Sequence, residues 1–146
     1  PAALPYNRGC HHSFWGIIDK TDLGATLHWM IEGHDKGPII AQKIFKDNGV
    51  LSAGEIQKKS NELCLELLSE EICNVMNGLT NSKKNTGGSY HSKDEILKKS
   101  TLNSEEDISV NFLFDLCRAT NAKGNGFYIK KGDRVFRVII DSVKEI

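Results

Sequence analysis

The strongest constraint on the fold lies between Ala25 and Phe45, where two apolar runs flank a short punctuated loop. Ala25 to Ile31 alternates, with Leu27, Trp29 and Ile31 on one face and Thr26, His28 and Met30 on the other. A period of two predicts a strand, and apolar groups on both faces predict one covered from both sides. Gly33-His34-Asp35-Lys36-Gly37-Pro38 breaks the run as a tight loop, because Gly and Pro are the strongest chain punctuators. Ile39 to Phe45 resumes as a second, Ile-rich strand.

Helical periodicity surrounds this pair. Phe14, Ile17 and Ile18 share one face of a short helix expected over Cys10 to Ile18. Ser52 and Glu55 stand at capping-box spacing, so a long helix begins there. Ile56, Leu63, Leu67 and Val75, flanked by Cys64, Leu68 and Ile72, give it a wide apolar stripe, and Gly78 suits its C-terminal cap. Residues 81–103 are polar and contain Gly87-Gly88, which reads as a linker or crossover. Ser104 and Asp107 form a second capping signal ahead of Ile108, Phe112 and Leu116, predicting a helix over 105–118. Phe127 to Lys130 and Arg134 to Val143 read as strands joined at Lys131-Gly132-Asp133. The division expected is an α/β piece over 1–80, a linker over 81–103 and a small α+β tail over 104–146.

The 146 residues suit one domain, or a truncated domain with a small appendage. Zero net charge gives no basic excess for a phosphate backbone, so nucleic acid is not an expected partner. No apolar run approaches the roughly 18 residues that span a bilayer, so no membrane partner is expected either. Pro1-Ala2-Ala3-Leu4-Pro5 lacks the basic start and apolar stretch of a signal peptide, and with no initiator Met the chain reads as a fragment or processed product. Cys64, Cys73 and Cys117 fall in apolar helical patterns, and with Cys10 form no C-x-x-C pair. That predicts reduced, buried thiols and a cytoplasmic protein. Cys10-His11-His12 has no spaced second ligand pair, so no metal is expected. Trp15 and Trp29 read as core aromatics.

Asp35 sits in a Gly-rich loop between two apolar strands, where burial would raise its pKa and fit it to proton transfer. An Asp there can equally do no more than hydrogen-bond its own turn. Arg8 beside Gly9 could hold a carbonyl, carboxylate or phosphate, or be an ordinary surface Arg.

Three spaced motifs occur in order: Pro1 to Gly9 with Arg8-Gly9, then Gly24-Ala25-Thr26-Leu27-His28, then Asp35-Lys36-Gly37-Pro38-Ile39. Together they resemble the formyltransferases that use 10-formyltetrahydrofolate, in which an Asn-x-His precedes the first motif. Tyr6-Asn7-Arg8-Gly9 and Gly88-Ser89-Tyr90-His91 resemble the sugar N-formyltransferase branch, and the Arg118-Ala119 helix end before a hairpin resembles its C-terminal domain.

The resemblance implies an α/β fold: the C-terminal part of a Rossmann-like formyltransferase core plus a small α+β domain. It implies that Asp35 is catalytic and that His34, Asp35 and Gly37 meet the 10-formyltetrahydrofolate co-substrate. Tyr6, Asn7, Arg8, Gly9 and His12 would bind the nucleotide-linked amino-sugar, with dTDP the nucleotide implied. Tyr90, His91 and Lys93 would cover it. A homodimer built by the tail, and a product destined for lipopolysaccharide O-antigen, are also implied. The family's Asn and His, expected immediately before Pro1, and its upstream folate half are not in the sequence, so the isolated chain is expected to be inactive. The alternatives are formylation of methionyl-tRNA or glycinamide ribonucleotide, which zero charge disfavours for tRNA, and a non-catalytic dimerisation or nucleotide-sugar-binding module.

Overall fold

The structure, a computed structural model, describes residues 2–121 and 126–143. Pro1, which opens the first motif, and the last three residues of the expected tail lie outside the described residues.

A two-residue strand β1 (Arg8–Gly9) leads into helix α1 (His12–Ile18). Strand β2 (Leu23–His28) pairs antiparallel with β3 (Ile39–Phe45). The sequence expectation ran β2 on to Ile31. It stops at His28 because Trp29 to Ile31 face no partner: across from them the chain is already in the loop, and Trp29 N–H donates to Pro38 O instead. Trp29, Met30 and Ile31 are therefore exposed, and Trp29 is not the core aromatic that its type suggested. Trp15 is buried as expected. The β2–β3 register slips between Leu27 and His28, so that Ile40 has no partner opposite and His28 is re-aimed toward the loop.

Helix α2 (Ala53–Met76) starts at Ser52 with both reciprocal bonds of the capping box formed. It ends in a pair of bonds from Gly78 N–H to Val75 O and Leu79 N–H to Asn74 O, which satisfies carbonyls left free by the last turn. Its apolar stripe is fully buried only at Ile56 and Leu67; Leu65, Leu68, Ile72 and Met76 are exposed. Cys73 is exposed too, against the expectation of burial.

The segment expected to be a linker is ordered. It holds β4 (Tyr90–His91), parallel to β1, then α3 (Glu95–Lys99) and β5 (Thr101–Asn103). Helix α4 (Val110–Thr120) begins later than expected: its N-cap is Ser109, whose Oγ accepts from Phe112 N–H, whereas Ser104 N–H bonds Lys130 O in a turn. Strands β6 (Gly126–Lys131) and β7 (Arg134–Ile139) form the expected hairpin, with β7 ending at Ile139, where its pairing to Gly126 stops, rather than at Val143; β5 adds to β6 in parallel, leaving β7 as an edge.

One core runs through all of this. Phe14, Trp15 and Ile17 of α1 pack with Leu23, Ile56, Leu102, Leu116 and Phe127, so α4 and the hairpin rest on the same interior as α1 and α2. Arg118 of α4, fully buried, fastens the arrangement. It donates to Asp47 Oδ2 (2.5 Å), Asp115 Oδ1 (2.9 Å) and Leu51 O (2.8 Å). Burial disfavours its charge, but the bonds to Asp47 and Asp115 outweigh this and hold its pKa above the usual value. Desolvation likewise opposes ionisation of Asp115, and its bonds from Lys20 and Arg118 overcome that and lower its pKa.

Candidate functional site

The cavity that gathers four of the candidate residues, Asn7, Gly9, His12 and Asp35, has a volume of about 230 Å³ and is also lined by Ala2, Leu4, Thr26 and His28. Four segments build it, the stretch before β1 delivering Leu4 and Asn7. The β2–β3 connection delivers Asp35, the end of β2 delivers Thr26 and His28, and the β1–α1 turn delivers Gly9 and His12.

Asp35 occupies a left-handed backbone conformation (φ 52°), which Asp tolerates better than most residues. Its Oδ2 accepts from Gly9 N–H at 3.2 Å, and its Oδ1 lies 3.6 Å from His28 Nε2. It does more than bond its own turn: the carboxylate reaches across to a different element. His28 Nδ1 is 2.9 Å from Trp29 O. A carbonyl only accepts, so Nδ1 carries hydrogen, and Nε2 is the nitrogen left to take up or release a proton opposite Asp35.

His12 is half-buried. Desolvation, first among the causes, holds its pKa down to about 4 against the opposing pull of Asp35, so it is neutral at pH 7. Ser13 Oγ donates to Gln57 Oε1 (3.4 Å) and lies 3.2 Å from His12 Nε2. That Nε2 is accordingly a donor, and Nδ1 is bare.

The other expected residues divide into those the structure gathers and those it does not. Asn7 borders the cavity, but its side chain is committed: Nδ2 donates to Thr21 Oγ1 (2.6 Å) and Oδ1 accepts from Ser89 Oγ (3.2 Å). Arg8 lies outside the cavity lining and donates from Nε to Ser89 O (3.4 Å) and from Nη2 to Gly87 O (3.3 Å). Tyr6, Tyr90 and Lys93 are exposed outside the lining, with Tyr90 stacked close over Gly9. His91 is a packing residue. Its ring stacks on Trp15 (centroids 3.8 Å apart), Nδ1 is 3.3 Å from Glu95, and Nε2 is 3.3 Å from Asp19 without hydrogen-bond alignment. His34 is exposed in the loop. Gly37 is buried, and a Cβ there would fall 1.5 Å from Trp29 O, so only glycine lets the loop close. Among the described residues, no three His, Cys, Asp or Glu side chains are grouped to hold a metal ion, and no helix is long and apolar enough to cross a membrane.

Two residues at the site were not singled out from the sequence. His28 ends the Gly-x-Thr-x-His strand motif, and its position one loop away from Asp35 was a usable signal. Asn85 had none. Its Nδ2 donates to Asp35 O (2.7 Å) and Gly37 O (3.0 Å) from about fifty residues away.

No family model matches the chain. In sequence it is 27% identical over 149 residues to dTDP-4-amino-4,6-dideoxyglucose formyltransferase of Mycobacterium bovis, an alignment covering 99% of this chain and 64% of that protein. In structure it matches a sugar N-formyltransferase from Shewanella with a TM-score of 0.84 at 23% identity, covering 99% of this chain and 61% of that one. The chain is similar to the sugar N-formyltransferases. It spans somewhat under two-thirds of the length of those proteins. An N-formyltransferase from Helicobacter canadensis, solved with folinic acid and dTDP-3-aminofucose, matches at a TM-score of 0.73 and 22% identity, over 96% of this chain and 61% of that one. Methionyl-tRNA formyltransferase of Thermodesulfovibrio yellowstonii is 29% identical over 133 residues, which is 90% of this chain and 42% of that protein. The α/β architecture is that of the formyltransferase fold.

Proposed function

We propose that this chain is the acceptor-side portion of an N-formyltransferase that moves a formyl group from 10-formyltetrahydrofolate to the amine of a dTDP-linked amino-deoxysugar. The observation that carries the reading is the Asp35 carboxylate at the wall of the cavity, bonded to Gly9 N–H and facing His28 Nε2. The relatives supply the substrate class.

The folate co-substrate supplies the formyl carbon: as the acceptor nitrogen bonds to that carbon, the carbon's bond to the folate nitrogen breaks, the acceptor nitrogen loses one proton and the departing folate nitrogen gains one. Asp35 takes that proton, with His28 Nε2 beside it as the next stop. The Gly9 N–H holds the carboxylate in one orientation, which keeps its other oxygen free for the amine. His12, neutral and with Nδ1 bare, offers an acceptor to the sugar's hydroxyl or amine without adding a competing positive charge. The cavity is polar and smaller than a whole ligand site, which runs to about 300 Å³ or more, and suits the reacting groups rather than the full nucleotide.

The 146 residues contain no Asn-x-His, the family's expected oxyanion and proton partners, so this chain by itself is expected to turn over no substrate. The test is formyl transfer to dTDP-amino-sugars by the complete protein and by residues 1–146. Activity of the complete protein only toward methionyl-tRNA would instead favour the second relative's chemistry, a reading that zero net charge weighs against.

The same reading makes the protein a cytoplasmic homodimer that pairs through β7. Four free cysteines favour a reducing compartment. Val135, Phe136 and Ile139 are exposed on an unpaired edge strand, a template for self-pairing. Phe136→Glu should give a folded monomer by light scattering where the parent is a dimer; an unchanged mass would remove the assembly proposal.

A further inference from the structure

The loop between β2 and β3 runs ten residues, from Trp29 to Pro38, and carries the carboxylate on which the proposed chemistry depends. A connection of that length does not hold a side chain still by itself. Its base is closed by Trp29 N–H to Pro38 O (3.0 Å) and by a reciprocal pair between Ile39 and Lys83 (2.9 and 2.8 Å). Its tip is grasped from outside by Asn85, whose two N–H groups go to Asp35 O (2.7 Å) and Gly37 O (3.0 Å), the carbonyls on either side of Lys36. The reverse orientation would set the amide oxygen against two carbonyls, so the geometry itself fixes which atom is the donor. The Asn85 Oδ1 is meanwhile buried without a partner. A buried acceptor left unpaired costs free energy, and a residue serving only to fill space would not carry it.

The same strand of chain then continues to the other wall of the cavity. Ser89 holds Asn7 through its hydroxyl, and Tyr90 and His91 pair with Arg8 and Gly9. Residues 83–91 thus form a strap that grips the Asp35 tip at one end and, through the N–H groups of Arg8 and Cys10, the backbone flanking Gly9 at the other.

We propose that Asn85 is a positioning residue for the formyl-transfer reaction: it sets the Asp35 backbone so that its carboxylate meets Gly9 N–H and faces His28. The assignment rests on the functional reading above, and two readouts separate the fates of the two. The first is steady-state kinetics of the complete protein. Asn85→Ala, and the isosteric Asn85→Asp that keeps shape but loses both donors, should lower kcat by roughly 10- to 100-fold, because misplacing a reacting group by about 1 Å costs that much. KM for the nucleotide sugar should stay within about twofold, the pattern of an interaction expressed in the transition state. The second readout is the Gly9 amide ¹H–¹⁵N resonance of residues 1–146, which needs no turnover. It should move in both Asn85 variants in the direction seen for Asp35→Asn, while amides of α2 and β6 stay in place. An unchanged kcat, an Asn85→Asp variant as active as the parent, or a stationary Gly9 resonance would each overturn the proposal. If the parent protein transfers no formyl group, or Asp35→Asn retains full activity, the functional reading fails instead, and the Gly9 resonance still decides whether Asn85 sets the loop.

Discussion

The molecule contains two antiparallel hairpins, and they solve the problem of turning a chain in opposite ways. The β6–β7 hairpin turns in two residues, Gly132 and Asp133, directly between the paired Lys131 and Arg134. The β2–β3 hairpin turns in ten, slips register at His28, and depends on a strap from 83–91 to fix its tip. The compact turn leaves its edge strand bare for another chain. The long one leaves a carboxylate poised over a cavity. On the proposed function, local economy goes with assembly and an elaborate, externally tethered loop goes with chemistry, because a reactive side chain must be aimed by contacts that a minimal turn cannot supply.

The largest effect expected from breaking this contrast is at Asp35. In the complete protein Asp35→Asn should cut kcat by about 10²–10⁴-fold, the usual loss for a positioned proton-transfer group. Asn accepts a left-handed backbone as readily as Asp, so the melting temperature should hold. Near-parental kcat in the folded variant would reduce Asp35 to a turn residue. Next is Gly37→Ala, whose Cβ cannot coexist with Trp29 O at 1.5 Å. It should destabilise by about 1–3 kcal/mol or more in chemical denaturation and impair transfer as well, since the loop must reopen.

His12 sharpens the contrast through pH. Its pKa in the fold is about 4, depressed from 6.5, so the unfolded chain binds more protons between those values. The His12 contribution to stability is fully present above pH 6.5 and fades as pH falls toward 4. The melting temperature should drop across that window, and less steeply in His12→Gln; parallel curves would show that His12 is not the group responsible. Smallest is Gly132→Ala in the compact turn. A Cβ there meets nothing within 4 Å, and the only penalty is a left-handed φ of 57°, about 1 kcal/mol with no change in transfer.

What could be read from the sequence was what depends on neighbours. The Ser52–Glu55 box formed because both bonds lie within four residues, and Ile39–Phe45 appeared as a strand with its bounds correct. The motif carrying Asp35 placed it at the cavity because loop and strands are contiguous. Errors arose where a local signal had a distant rival. Ser104 and Ser109 are equally good caps, and the choice fell to Ser109 because β5 takes Ser104 into a turn against Lys130. Trp29 to Ile31 alternate like a strand but have no partner opposite. The packing of His91 was not legible, because nothing local says that Trp15 lies flat against it. Asn85 was illegible for the same reason: its two bonds span about fifty residues, in a stretch whose composition reads only as polar.

The strap also sets an order of events during synthesis. The carboxylate of Asp35 and the amide of Gly9 leave the ribosome before the segment that registers them against each other, which ends at His91. Closing loops of 50 and 82 residues is paid in chain entropy before the bonds return anything. Until that stretch has emerged, the nascent chain displays an unaimed loop. The proposed site geometry therefore cannot close until the strap has emerged.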